Sequence, residues 1–304
     1  MEKLINKVYY VIKPLLPRTL QLYIRRGVMK RRRNIVTSEW PILERAGKKP
    51  DNWKGWPDEK QFALVLTHDV EFAKGQEKCI ELMKIESSLG FKSSFNFVPE
   101  RYQVDKNILK ELVKDGFEIG VHGLNHDGKL FKNQNIFYKR AKKINKYLED
   151  WNAVGFRSPA MHCNLQWIHK LNVEYDLSTF DTDPFEPQSK GIETIFPFIV
   201  YNKKGNGSYL ELPYTLPQDH SVFIIFEEKN IDIWKNKLDW IVKKGGMALL
   251  NTHPDYMSLN GKPAFEEYSV ELYKGFLNYV KSEYEGKYWQ ALPKQVAKFS
   301  KTLG

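Results

Sequence analysis

The stretch FALVLTHDVE, residues 62–71, runs five apolar residues into Thr67 and then ends on His68, Asp69 and Glu71. A short, β-rich apolar run that finishes in polar residues reads as a buried strand with a functional C-terminal end. Asp69 and Glu71 stand two apart, so an extended chain points both side chains to one face. The same rhythm continues downstream. SSFNFV (93–98), FEIGVHG (117–123), AVGFRSPA (153–160), YDLSTFD (175–181), YLELPY (209–214) and MALLNTHPD (247–255) read as strands. Helical segments are expected at 74–89, 105–115, 131–150, 164–172, 230–243 and 264–282. Alternating β and α runs favour parallel βα units in a sheet or barrel.

Polar residues gather at the strand ends. His68, Asp69 and Glu71 close the first, His122 and His126 follow the third, Arg157 ends the fourth, Asp181 and Asp183 follow the fifth, and His253 ends the last. In a closed barrel, strand C-termini open on one face, where barrel enzymes build their sites.

His122 and His126 cannot share an ion on an extended strand, where residues four apart lie ~13 Å from each other. On a helical turn they are ~6 Å apart. The segment HGLNH is therefore expected to bend just after its strand, with both imidazoles reaching one metal. A carboxylate would complete three protein ligands and leave a position for water. One of Asp69 and Glu71 can bind the metal while the other stays free as a base. Water acidified by such an ion becomes a usable nucleophile. Hydrolysis of an amide further needs a base, a stabilised oxyanion and an acid for the leaving amine. His253 suits the acid role. A buried Arg157 requires a carboxylate partner, and Asp69 is the natural one. Asp181 or Asp183 could orient His253 and raise its pKa.

At these residues the chain resembles the NodB-type polysaccharide deacetylases, carbohydrate esterase family 4, over roughly residues 61–260. The resemblance is to the branch that reads Asp-Val-Asp at the first strand, matched here by Asp69-Val70-Glu71. It implies Asp69 as catalytic base, Glu71, His122 and His126 as metal ligands, Arg157 and Pro159 as the Arg-x-Pro motif, and His253 as general acid. Two departures stand out: Glu71 replaces the usual Asp, and Ala160 stands where a Tyr often follows Arg-x-Pro. The implied fold is α/β, a distorted (β/α) barrel with seven or eight strands. The implied activity is removal of an N-acetyl group, less often O-acetyl, from a sugar. The implied cofactor is a divalent metal, Zn2+ foremost, with Co2+, Ni2+ or Fe2+ as alternatives. Two other readings stand beside it: a sugar- or lipid-binding barrel without catalysis, and a two-His, one-carboxylate Fe(II) oxygenase, whose usual jelly roll the βα alternation does not favour.

The rest of the chain frames this body, residues 61–304. Of 304 residues, 42% are hydrophobic, and no apolar run approaches the about 20 needed to span a bilayer. Net charge is +10, but residues 1–33 hold ten Lys/Arg against Glu2 alone, leaving 37 against 36 elsewhere. The excess thus sits in an N-terminal arm, and no basic, aromatic-laced stripe marks a nucleic-acid groove. The arm reads as two short helices broken at Pro14 and Pro17. Residues 34–60, with Trp40, Trp53 and Trp56, read as an extended strap. Two cysteines, Cys79 and Cys163, favour a reducing cytoplasm over a disulfide framework. An arm both apolar and basic can rest on an anionic membrane at its inner face. The expected partner is then an N-acetylated carbohydrate, as polysaccharide or lipid-linked saccharide, made for a cell-surface glycan.

Overall fold

The computed structural model describes residues 17–301 apart from Asn52. The first half of the expected arm, with its break at Pro14, lies outside the described residues. From Pro17 the chain enters helix α1 (Arg18–Arg33), which suits proline just before a helical first turn.

Strand β1 (Phe62–Val70) is buried along its whole length, as expected of a parallel strand covered on both faces. It is followed by β2 (Ser94–Phe97), β3 (Glu118–His122), β4 (Gly155–Arg157), β5 (Tyr175–Asp176), β6 (Phe198–Tyr201), β7 (Ser208–Glu211) and β8 (Met247–Thr252). Each of β1, β2, β3, β4, β5 and β7 pairs in parallel with the next. Strand β8 returns parallel to β1, with Ala63 opposite Met247 through His68 opposite Thr252. A single parallel bridge, Leu216 to Leu250, joins the chain after β7 to β8. The result is a distorted parallel barrel closed at its thinnest by that bridge. Strand β6 adds antiparallel to β7, and the later β11 (Tyr288–Gln290) adds parallel to the start of β1. A small parallel pair, β9 (Met257–Ser258) and β10 (Tyr268–Ser269), lies apart.

Alternation along β1 sorts its residues. Phe62, Leu64 and Leu66 join the large outer core with the helices. Ala63 and Val65 join Tyr175, Leu177, Leu210, Leu212, Met247 and Leu249 in the barrel interior. Continuing the odd positions upward, Thr67, Asp69 and Glu71 face the same interior, as the spacing requires. The outer layer comprises α2 (Ala73–Gln76), α3 (Cys79–Leu89), α4 (Lys106–Lys114), α5 (Gln134–Asp150), α6 (Leu165–Ile168), α7 (Asp232–Lys244) and α8 (Val270–Tyr284). Helix α5 shows why these form: Asn133 caps it by accepting from Ile136 N, and Phe137, Ala141, Ile144 and Leu148 make one buried stripe. Helix α9 (Pro293–Ser300) sends Val296 and Ala297 into the interior cluster beside Trp56 and Ala291, plugging the barrel at its strand N-termini.

Several expected boundaries move. The segment 74–89 divides into α2 and α3; 164–172 shrinks to α6; 264–282 starts only at Val270, where Ser269 caps α8 through Glu271 N. The stretch 175–181 is a strand only at Tyr175 and Asp176. Strands β6 and β11, helix α9 and a π-helical turn at His220–Ile225 had no clear periodic signature. The segment 34–60 is not extended throughout, since Glu44–Gly47 and Pro57–Glu59 are 3-10 turns. Trp40, Leu43 and Trp56 are buried there, and Lys237 Nζ donates to Pro41 O. Among the described residues, no helix is long and apolar enough to cross a membrane.

Candidate active site

His122 is the last residue of β3 and stands opposite Arg157 in the ladder. The chain then turns at Gly123, whose φ is +63°; a Cβ there would lie 2.5 Å from the Pro159 ring, so glycine alone fits. His126 itself takes a left-handed backbone, φ +53°, uncommon for a residue with a side chain and recurrent at functional sites. This turn brings the two imidazoles to 5.1 Å between centroids. Ligand atoms of Glu71, His122 and His126 all fall within 4.8 Å of one another.

The electronic state of these groups suits a metal. His122 Nδ1 lies 3.1 Å from Arg157 O, a pure acceptor, so Nδ1 carries the proton and Nε2 keeps its lone pair. That Nε2 is buried without a hydrogen-bond partner. Burial pushes the His122 pKa down to about 4, against the pull of Asp69, so the ring is neutral at pH 7. His126 Nε2 stands 2.8 Å from Glu71 Oε1, without aligned hydrogen-bond geometry. Burial would raise the Glu71 pKa, but His126 and the charge of His253 hold it well below the carboxylate range. A neutral His122 with its Nε2 lone pair free, a second imidazole from His126 and an ionised carboxylate fit a borderline divalent ion such as Zn2+.

Asp69 lies deeper on β1. Its Oδ1 accepts from Asn96 Nδ2 (3.0 Å) and Arg157 Nη1 (3.1 Å); its Oδ2 accepts from Asn251 Nδ2 (2.9 Å). The expected Asp69–Arg157 pair is therefore present. Burial works to raise the Asp69 pKa, but Arg157, His122 and His253 outweigh it and keep the carboxylate ionised. Arg157 is fully buried, donating also to Leu177 O, Thr67 Oγ1 and, through a short bond, Asn251 Oδ1. Gly120 lets Asn96 pass, since a Cβ there would meet its Oδ1 at 2.1 Å. Asp69 Oδ2 sits between two imidazoles, 3.9 Å from His122 Nε2 and 4.0 Å from His253 Nε2.

One expectation is corrected here. Neither Asp181 nor Asp183 holds His253. Its partner is Asp219, which caps the π-helical turn: Oδ1 lies 2.7 Å from His253 Nδ1, and Oδ2 accepts from His253 N (2.8 Å) and Tyr268 OH (3.0 Å). Asp181 is instead bonded to the buried Lys237. Asp183 accepts from Phe185 N and Tyr214 OH. The reason is β5, which stops at Asp176 and leaves both acids in a loop beyond the strand end. Burial lowers the His253 pKa, but Asp219, with Glu71 and Asp69 behind it, raises it to about 10. The ring is a cation at neutral pH, with Nε2 turned toward Asp69.

Further residues escaped the sequence. Asp255 accepts from the amides of Glu71 (2.8 Å) and Phe72 (3.1 Å) and fixes the chain that presents Glu71. Tyr256 OH donates to Glu71 Oε2 (3.2 Å). Asn96 and Asn251 were read only as members of apolar strands. Their register, Asn96 opposite Asp69 and Asn251 opposite Thr67, was the available signal, but it is visible only once the strands are paired.

No protein-family model matches the chain, and no curated protein matches it. Among solved structures, a Mycobacterium smegmatis protein assigned as a polysaccharide deacetylase superposes with a TM-score of 0.66 at 18% identity, over 84% of this chain and 95% of that one. The PuuE allantoinase gives 0.63 at 14% identity, over 86% and 97%. A Pseudomonas aeruginosa PAO1 protein assigned as a polysaccharide deacetylase gives 0.62 at 16%, over 85% and 97%. These likenesses establish the fold: the chain has the distorted (β/α) barrel of the NodB-type deacetylases.

Proposed function

We propose that the protein is a metal-dependent carbohydrate deacetylase, removing an N-acetyl group from a polysaccharide or lipid-linked saccharide. One observation carries the reading: a trio of two imidazoles and a carboxylate (Glu71, His122, His126) stands beside an ionised carboxylate and a cationic imidazole that do not belong to it. Glu71, His122 and His126 would hold a divalent ion, Zn2+ foremost, which would supply Lewis acidity to an amide oxygen and to water.

The chain's own groups do the rest. Asp69 takes the proton from the attacking water, held in place by Arg157, Asn96 and Asn251. His253 gives the Nε2 proton to the departing amine nitrogen, so the amide C–N bond breaks into acetate and an amine. Asp219 keeps His253 protonated and aimed. Asp255 and Tyr256 hold Glu71. The parallel barrel supports this reading over the Fe(II) oxygenase, and the two cysteines, both free thiols, suit the cytoplasm.

The test couples metal analysis of the purified protein to acetate release from N-acetylhexosamine glycans and lipid-linked saccharides. The expected result is stoichiometric divalent metal and acetate release that chelation abolishes and added Zn2+ restores. Equal release by the wild type and Asp69→Asn would sink the catalytic reading in favour of a binding barrel. Oxygen uptake without acetate would sink it in favour of the oxygenase.

A further inference from the structure

Helix α1 carries two apolar faces, and among the described residues only one of them packs on the barrel. Leu22 and the half-buried Met29 pack on the barrel core. Arg26, buried beside them, donates to Ile224 O (2.9 Å) and pairs with Glu227 (2.8 Å); Lys30 and Arg33 pair with Glu227 and Glu228. On the opposite side, Leu20, Ile24 and Val28 recur every four residues and are 44%, 38% and 54% exposed, with Tyr23 at 62%. Phe265, 40% exposed, extends the stripe from a neighbouring loop, its ring 5.7 Å from that of Tyr23. Of nine large exposed hydrophobics among the described residues, four lie on this one helix. Helical geometry explains the arrangement: positions 20, 24, 28 and 31 share a side, roughly opposite 22, 26, 29 and 33.

We infer that this outer face of α1 docks on an anionic lipid surface. The occupant follows from the charge around the stripe. The helix holds seven Lys/Arg and no acid, and the exposed Arg31 continues the apolar row. An apolar stripe whose charged neighbours on its own helix are all cations matches acyl chains below and anionic headgroups above. A nucleic-acid groove would not place aliphatic side chains at its centre.

The helix is also tied to the candidate active site. It is bolted to the π-helical turn that Asp219 caps, and Asp219 holds His253. Arg25, on the same helix, acts electrostatically on Asp183 and Glu186, and Glu186 in turn feels His253. A helix lying in the lipid boundary thus places the site at the bilayer surface. Resting on the deacetylase reading above, the substrate class becomes a saccharide carried on a lipid, met at the membrane.

The test is co-sedimentation of the full-length protein with vesicles of phosphatidylcholine alone and of phosphatidylcholine doped with phosphatidylglycerol. The wild type binds the anionic vesicles, less so at high salt. The triple variant Leu20→Ser, Ile24→Ser, Val28→Ser loses more than about tenfold in partitioning, and Arg31→Glu loses a smaller factor. Circular dichroism and acetate release from a soluble N-acetylated oligosaccharide stay unchanged in both, while release from a vesicle-embedded lipid-linked saccharide falls in the triple variant. No binding by the wild type, or equal binding by the triple variant, overturns the docking surface. So does sedimentation velocity showing a wild-type dimer that the triple variant dissociates, because a second copy then covers the stripe. Stripe-dependent binding without acetate release from any saccharide leaves the docking surface standing and removes the activity instead.

Discussion

Asp69 and the pair Asp176–Glu211 are all sealed inside the same barrel, yet their pKa values move in opposite directions. Asp69 receives a guanidinium and two side-chain amides. Asp176 and Glu211 face each other across β5 and β7 with one hydroxyl apiece, from Ser178 and Thr179, and no cation in contact. Burial raises all three. For Asp69 it is overruled by Arg157; for the pair it is unopposed by any contacting cation. Asp176 rises to about 6, and Glu211, pushed further by Asp176, goes well above its ordinary range. The donors, not the depth, decide which way an acid's pKa moves, and the one fully buried arginine among the described residues is spent on the acid beside Glu71, His122 and His126.

The largest effect expected is on turnover. Asp69→Asn keeps the shape and removes the base, lowering kcat for acetate release by about a hundred- to ten-thousandfold with a smaller change in KM. Next, Arg157→Met strips Asp69 of its hydrogen-bonded guanidinium and should destabilise the fold by about 3–5 kcal/mol in urea unfolding at neutral pH. A smaller effect is expected from Asp219→Asn. His253 has a raised pKa, so its charge is complete below its ordinary value near 6.5 and lost as pH rises through about 10. Removing Asp219 moves the alkaline limb of the rate profile down by about two pH units.

The smallest effect separates the two acid sites by sign. Asp69 has a depressed pKa, so it contributes stability present at neutral pH and lost as pH falls below the carboxylate range. The Asp176–Glu211 pair has raised pKa values, so its contribution is present in acid and declines as pH rises from about 4, through about 6 for Asp176 and on to higher pH for Glu211. Glu211→Gln removes a carboxyl that must take up a proton on folding at pH 7, and should add about 1–2 kcal/mol there while flattening that slope. An unchanged slope in urea titrations across pH 4–7 would remove the pair from the account.

What the sequence made legible follows the same division. Glu71, His122, His126, Arg157 and His253 each end or follow a run whose period is clear, so position and chemistry coincided. The partners that tune them did not announce themselves. Asn96 and Asn251 sit at interior positions whose meaning depends on register. Asp219 lies after a two-proline stretch, Pro213 to Pro217, with no repeat to place it. Asp181 and Asp183 looked like strand-end acids because FD and TD follow a β-rich run, but β5 closes after two residues and sends them to Lys237 and Tyr214. Fold class was readable from alternation. The closure through Leu216 and Leu250 was not, because a one-residue bridge leaves no pattern.

Helix α9 and Trp56 stop the barrel at the strand N-termini. A tube stoppered at one end has one doorway. Whatever bond the site breaks, the fragment formed deepest leaves past the fragment nearer the rim. For the proposed hydrolysis the expected outcome is ordered product release, which product-inhibition kinetics would read as one competitive and one non-competitive product.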